Sequence, residues 1–250
     1  MIRFEQVSKA FGSQQVLNRV DLEVERGETF VIVGSSGMGK SVTLKHMIRL
    51  LTPDQGRVMV GGDCISEAGD REIVKIRDRF GVLFQSAALL AWLSVFENVA
   101  LPLRERTAMM EEEIEIRVAE CLELVGLTAA AAKFPDEISG GMRKRAGLAR
   151  AIVMKPEIIL YDEPTSGLDP VISRSIDRLI DDMRVKLGVT SVVVTHDLHS
   201  ALGIGTRIGM LSKGSFVEIS KPEAFIHSSQ PEVKEFLESQ YITRKGNWES

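Results

Sequence analysis

Gly34-Ser35-Ser36-Gly37-Met38-Gly39-Lys40-Ser41 has the spacing G-x-x-x-x-G-K-[ST]. Glycines at these positions let successive backbone N–H groups converge on phosphate oxygens, and the helix that follows turns its positive dipole end toward them. Lys40 would pair with β- and γ-phosphates, and the Ser41 hydroxyl would complete a Mg²⁺ site. An ordinary glycine-rich turn has a similar composition, so context must separate the two. Here an apolar run, Thr29 to Val33, precedes the loop, and Leu44, Met47, Ile48 and Leu51 recur at helical spacing after it, predicting a helix from Lys40 to Leu51.

A second group ends the apolar run Ile158 to Tyr161 with Asp162 and Glu163. A parallel α/β sheet gathers its ligands at the carboxyl ends of its strands, so this pair should open onto the same crevice as the glycine-rich loop. Asp162 then stands on the Mg²⁺ side, and Glu163 is the candidate base that polarises an attacking water. Alone, an Asp-Glu pair after a strand reads as a helix cap; beside a phosphate loop the catalytic reading prevails. Ser139-Gly140-Gly141 precedes a helix carrying Leu148, Ala151 and Ile152, with Ser139 as its N-cap. A second anion-binding helix end is redundant in a chain that already has a phosphate loop, unless it faces another subunit's nucleotide. His196 precedes Asp197, with His199 three residues on; a helix start explains this spacing better than a metal, for which no third ligand is apparent.

The elements that must hold these groups follow from periodicity. Ile2, Phe4 and Val7, then Val20, Leu22 and Val24, alternate as strands, and Val58 to Val60 with Gly61-Gly62 adds a small strand pair. Glu111 to Leu124 places Ile114, Val118, Cys121 and Leu122 on one helical face and glutamates on the other. From Ile158 onward short β-branched runs (Ser191 to Val194, Ile208 to Leu211) alternate with a helix carrying Ile176, Leu179, Ile180 and Met183. The pattern predicts a mostly parallel sheet wrapped by helices, with a helical insertion in the middle third.

Composition narrows the function classes. The 250 residues hold 31 Lys plus Arg against 35 Asp plus Glu, a formal charge of −4 that gives no bias toward nucleic acid. The two cysteines, Cys64 and Cys121, are far apart and suggest neither a disulfide framework nor a thiolate metal site, which fits a reducing cytosolic compartment. The charged amino terminus is not that of a signal peptide, and the most apolar stretch, Ala87 to Phe96, falls short of the ~20 residues that span a bilayer.

The order Gly34 to Ser41, Gln85, Ser139-Gly140-Gly141, Asp162-Glu163, Ser166-Gly167-Leu168-Asp169 and His196 resembles the nucleotide-binding subunit of an ABC transporter over essentially the whole chain. The resemblance implies a P-loop NTPase (RecA-like) α/β core with an N-terminal antiparallel β subdomain, spanning 1–85 and 156–221. It further implies an α-helical signature subdomain at 86–155 and a C-terminal helical extension at 222–250. It implies ATP and Mg²⁺, held by Gly34 to Ser41 and Val42, with Ser41, Asp162 and Gln85 toward the metal. Lys40, Gln85, Glu163 and His196 would act on the γ-phosphate, while Ser139, Gly140 and Gly141 clamp the nucleotide of a second copy and Asp169 links the two sites. Phe11 stands where the family usually carries an aromatic stacked on adenine; a place in the core is its alternative. Ile138 and Met142 depart from the usual leucine and glutamine of the signature without removing the groups that meet phosphate.

Within the family, Phe84 to Leu90, Val95 to Leu103 and Met142 most resemble the ATPases of Mla and MCE-type lipid-trafficking systems of bacterial envelopes. That resemblance implies a homodimer at the cytoplasmic face of the inner membrane, bound to integral-membrane permease subunits and an envelope lipid-binding MCE-type subunit, moving phospholipid. The alternative is a regulatory ABC ATPase whose non-transporting membrane partner controls cell-wall hydrolases in division. The apolar run after Gln85 either fills the helical insertion's own core or lines a groove for the membrane partner, with Trp92 the candidate interface anchor.

Overall fold

The computed structural model describes residues 1–240. Two sheets organise them. The first is antiparallel, in the order β2-β1-β4-β5, from β1 (Ile2–Phe11), β2 (Gln14–Val24), β4 (Gln55–Val60) and β5 (Asp63–Cys64). Ile2 pairs with Val24 and Phe4 with Leu22, so the alternating apolar residues of both strands fall on one buried face.

The second sheet runs β10-β9-β3-β8-β7-β6, from β3 (Thr29–Val33), β6 (Phe80–Leu83), β7 (Ile158–Asp162), β8 (Thr190–Val194), β9 (Arg207–Ser212) and β10 (Ser215–Ser220). All its neighbours are parallel except β9 and β10, which form an antiparallel edge. Its central strands β3, β7 and β8 are buried at every position but Asp162, because both faces are covered. Phe30, Ile32, Leu160 and Val192 pack toward the antiparallel sheet and α1 (Lys40–Met47). Val31, Val33, Ile159, Tyr161 and Val193 pack into the other core, which also holds α3 (Val95–Arg106), α4 (Glu111–Leu124), α5 (Gly140–Ile152), α6 (Pro170–Leu187) and α7 (Leu198–Ile204).

The sequence places α3, α4 and α5 between β6 and β7, and Ile114, Val118, Cys121 and Leu122 of α4 are buried as their spacing predicts. After β10 the described chain is helical in α8 (Pro222–Phe225) and α9 (Pro231–Ser239); the rest of the expected extension, 241–250, lies outside the described residues. Among the described residues no helix is long and apolar enough to cross a membrane.

One helix differs from expectation. The periodicity predicts helix through Leu51, but α1 stops at Met47 and Arg49 adopts φ 51°. The carbonyls of Ile48 and Arg49 accept bonds of 2.9 and 3.0 Å from the guanidinium of Arg77, at the end of α2 (Asp70–Arg77). A side chain from a later helix thus satisfies the two carbonyls just past the end of α1, while the Lys45 and His46 carbonyls accept from the N–H groups of Leu50, Leu51 and Arg49.

Candidate nucleotide site

The loop from β3 into α1 is built around close approaches. A Cβ on Gly34 (φ 146°) would lie 2.4 Å from the Leu211 carbonyl oxygen, and one on Gly39 (φ 97°) would lie 3.0 Å from the Val16 carbonyl oxygen and Cγ1. Only glycine permits these backbone conformations in this space. Gly37 also has positive φ, 80°, but nothing lies within 4 Å of its Cβ position, so that face of the loop is open.

Lys40 is buried and donates from Nζ to the Gly34 and Ser35 carbonyls at 2.7 and 3.1 Å. Its ammonium lies 4.0 Å from Glu163 Oε1. Burial holds its pKa below the usual lysine value, opposed by the charges of Glu163 and Asp162. Ser41 Oγ donates to Asp162 Oδ1 at 2.8 Å, joining two residues 121 positions apart. Parallel pairing of β7 beside β8, and β8 beside β3, brings the two strand ends to one edge of the sheet.

Glu163 follows β7 in the left-handed region, φ 50°. Its N–H donates to the Val194 carbonyl at 2.9 Å, and its Oε2 lies 2.7 Å from Nδ1 of His196. Asp197, next in sequence, caps α7 by accepting from the N–H groups of His199 and Ser200. His196 therefore stands at the junction of strand and helix, facing Glu163. Among the described residues no group of three or more His, Cys, Asp or Glu side chains is placed to hold a metal ion.

A cavity of about 570 Å³ is lined by Phe11, Val16, Ser36, Gly37, Gly39, Lys40, Ser41, Val42, Gln85, Glu163 and His196. Phe11 ends β1 and is 45% exposed, which removes the core alternative. Gln85 reaches the cavity with its amide nitrogen 3.5 Å from Ser166 Oγ, too long a contact to fix it. A larger cavity, about 1320 Å³, lies among α6, α7 and α8 and shares His196, but Lys40, Ser41 and Glu163 do not line it. The smaller one gathers the residues whose chemistry suits phosphate.

Ser139, Gly140 and Gly141 do not line the phosphate cavity. Ser139 is exposed and caps α5, accepting from the Met142 N–H at 3.3 Å. A Cβ on Gly141 would meet Ile172 Cγ2 at 2.5 Å, so this glycine also permits the close packing of α5 on α6. Asp169 caps α6, accepting from the N–H groups of Val171 and Ile172 at 3.0 Å each.

The residues present fit Mg²⁺ and ATP. Ser41, Asp162 and Gln85 offer the hard oxygen donors that Mg²⁺ prefers, and Lys40 with the open glycine loop supplies the phosphate cradle. The ABC transporter family model matches residues 17–166, more than half the chain. The chain belongs to that family. It is 44% identical over 241 residues to the "Probable ribonucleotide transport ATP-binding protein mkl" of Mycobacterium leprae, covering 96% of this chain and 70% of that protein. It is 38% identical over 229 residues to the intermembrane phospholipid transport system ATP-binding protein MlaF of Haemophilus influenzae, covering 92% of this chain and 87% of MlaF. The dimeric post-hydrolysis structure of the ATP-binding cassette MJ0796, bound to ADP and Pi, superposes with a TM-score of 0.81 at 36% identity, over 89% of this chain and 99% of that one. The fold is that of an ABC ATPase cassette, and the chemistry is hydrolysis of Mg²⁺-bound ATP.

The sequence did not single out Lys144 or Arg150 of α5. Lys144 is buried and donates to the carbonyls of Gln85 and Glu163 at 2.6 and 2.9 Å. Arg150 donates to those of Ala87 and Ala88, at 2.7 Å each. A signal was present: Lys144 shares a helical stripe with Leu148, Ala151 and Ile152, where a charge is out of place.

Proposed function

We propose that two copies of this chain close head to tail around two Mg²⁺-ATP and drive an integral-membrane permease that moves phospholipid across a bacterial envelope. Each site joins the phosphate loop, Asp162, Glu163 and His196 of one copy to Ser139 and Gly141 of the other. The observation that carries this reading is the position of Ser139: an exposed helix start with its own capping hydroxyl, outside the cavity that holds Lys40. A helix start lying outside its own subunit's phosphate cavity is complemented by a second subunit's phosphate. Gln85, at the start of the segment leading to α3, would carry the state of the nucleotide to the permease, with 86–155 moving as a unit on the 1–85 and 156–221 core.

Phospholipid as cargo is supported by similarity to MlaF over nearly its whole length, and by Met142 in the signature. The name of the mycobacterial relative points instead to ribonucleotides, and the chain spans 70% of that protein. The assembly would sit at the cytoplasmic face of the inner membrane, with a lipid-binding MCE-type subunit on the envelope side. The test is reconstitution of the ATPase with its co-purifying membrane partners in vesicles. ATP-dependent movement of labelled phospholipid, without movement of labelled ribonucleotide, is expected; the reverse would overturn the cargo. Sedimentation of the isolated Glu163→Gln chain checks the composite site separately. A shift to dimer on adding Mg²⁺-ATP is expected, and an unchanged monomer at high concentration would overturn it.

A further inference from the structure

The ammonium of Lys144 has been drawn into the protein to meet two backbone carbonyls from different segments. One belongs to Gln85, just after β6, and the other to Glu163, just after β7, at 2.6 and 2.9 Å. A lysine free to choose would keep its charged head in water and bury only its stem. Here the whole residue is buried, and desolvation pushes its pKa down against the opposing charges of Glu163 and Asp162.

The carbonyl it meets on Glu163 is unusual. Glu163 is a non-glycine residue at φ 50°, a conformation that L side chains rarely adopt. Such a backbone persists only where its surroundings determine it. Its N–H is fixed by the Val194 carbonyl at 2.9 Å, and Lys144 fixes the carbonyl on the other side of the same residue. With both polar groups held, the Cα–Cβ bond of Glu163 has one direction, which sends its carboxylate to His196 and Lys40. Two turns further along α5, Arg150 fastens Ala87 and Ala88, which also have positive φ, 61° and 49°. Arg150 steadies the segment after Gln85, whereas Lys144 alone also reaches the catalytic strand.

We propose that Lys144 is a positioning residue for hydrolysis: it locks the backbone of Glu163 in the left-handed conformation and ties it to Gln85, so that the carboxylate is aimed at the attacking water. The proposal rests on the reading of Glu163 as the base. Lys144 does not line the phosphate cavity; it acts through Glu163. Because Lys144 lies just over one turn after Ser139 and Gly140 on the same helix, displacement of α5 relative to the core would misaim Glu163.

Four proteins test this: the parent, Lys144→Met, Glu163→Gln and the double variant, each assayed for Mg²⁺-ATP affinity and single-turnover hydrolysis. Met keeps the length and apolar stem of lysine but donates no hydrogen bond. Lys144→Met is expected to lower the hydrolysis rate about tenfold or more, the scale of one hydrogen bond from a charged donor, with Mg²⁺-ATP affinity changed less than about threefold. In the Glu163→Gln background the same substitution should lower the residual rate less than about twofold, because there is no base left to aim. A residue needed only for folding would reduce both backgrounds by one factor, and that result overturns the proposal. Parent-like turnover in Glu163→Gln would instead overturn the base reading, so the two failures are distinct. Should Lys144→Met melt below the assay temperature, Lys144→Leu, which likewise donates no hydrogen bond, enters the same cycle. Its hydrolysis ratio in the two backgrounds is then decided by the same criterion.

Discussion

Nδ1 of His196 lies 2.7 Å from Oε2 of Glu163, while the other carboxylate oxygen of Glu163 lies 4.0 Å from the ammonium of Lys40. The two partners bracket the carboxylate from different elements, the end of β8 and the start of α1. The glutamate side chain is largely covered and the imidazole largely open, and His196 lines the phosphate cavity beside Lys40. On the reading of Glu163 as the base, its orientation toward water depends on His196, which holds its carboxylate at 2.7 Å.

His196→Ala should consequently lower kcat by about 10- to 100-fold, the equivalent of one hydrogen bond to a charged group. Mg²⁺-ATP affinity should change less than about threefold, since the glycine loop and Lys40 remain. Paired measurement of kcat and nucleotide affinity checks this. Parent-like turnover would remove His196 from the catalytic constellation.

The site was legible wherever its chemistry is contiguous or set by sheet topology. Gly34 to Ser41 lies in one run, and the Ser41–Asp162 contact follows from two parallel strands ending at one edge. What the sequence left open depends on contacts between segments remote in the chain. Phe11 could not be oriented until the β1–β2 hairpin was placed, and the end of α1 depends on a guanidinium 29 residues beyond Ile48. Lys144 was not singled out: its place on an apolar stripe marks burial, but its two acceptors are backbone atoms 59 and 19 positions away, which that stripe does not identify. The central strands were legible as apolar runs, but which face each residue joins required the helices on both sides.

Asp177 on α6 gives a prediction about pH. Its Oδ2 accepts from Ser200 Oγ at 2.9 Å, while its Oδ1 is buried without a partner. Burial, the largest cause, with the Asp197 carboxylate adding and the Ser200 bond opposing, pushes its pKa up from 3.8 to about 6. The folded state thus binds the proton more tightly than the unfolded chain. Stability falls as pH rises from about 4 to about 6, and the full cost remains above that window. Asp177→Asn should remove it. With a discount for partial solvent access, the gain at pH 7.5 is about 1 kcal/mol, or about 2–4 °C in Tm for a chain of this size. Below pH 4 the difference should vanish; melting curves showing a difference independent of pH would refute the assignment.

The segment after Gln85 carries the last prediction. Of its apolar residues Ala87 is fully buried and Leu89, Leu90 and Leu93 are half-buried, whereas Trp92 is 72% exposed. Core packing therefore accounts for part of the run but not for the tryptophan. Nor does Trp92 hang on a loose strand. The buried side chain of Asn98 accepts from the Leu90 N–H at 2.7 Å and donates to the Leu90 and Leu93 carbonyls at 3.0 Å, pinning the turn that presents it. A large aromatic held outward on a fixed turn loses little freedom when a partner covers it, which suits an interface anchor. Trp92→Ala should leave the isolated chain's melting within about 0.5 kcal/mol of the parent, as exposed substitutions do, and leave ATP affinity unchanged. Loss of a central anchor costs about 2 kcal/mol or more, so the complex with the membrane subunits should weaken about 30-fold, and partner-stimulated hydrolysis should fall at limiting partner concentration. Co-purification and ATPase titration with the membrane subunits read this out. Normal assembly by the variant would place the coupling surface elsewhere on α3 to α5.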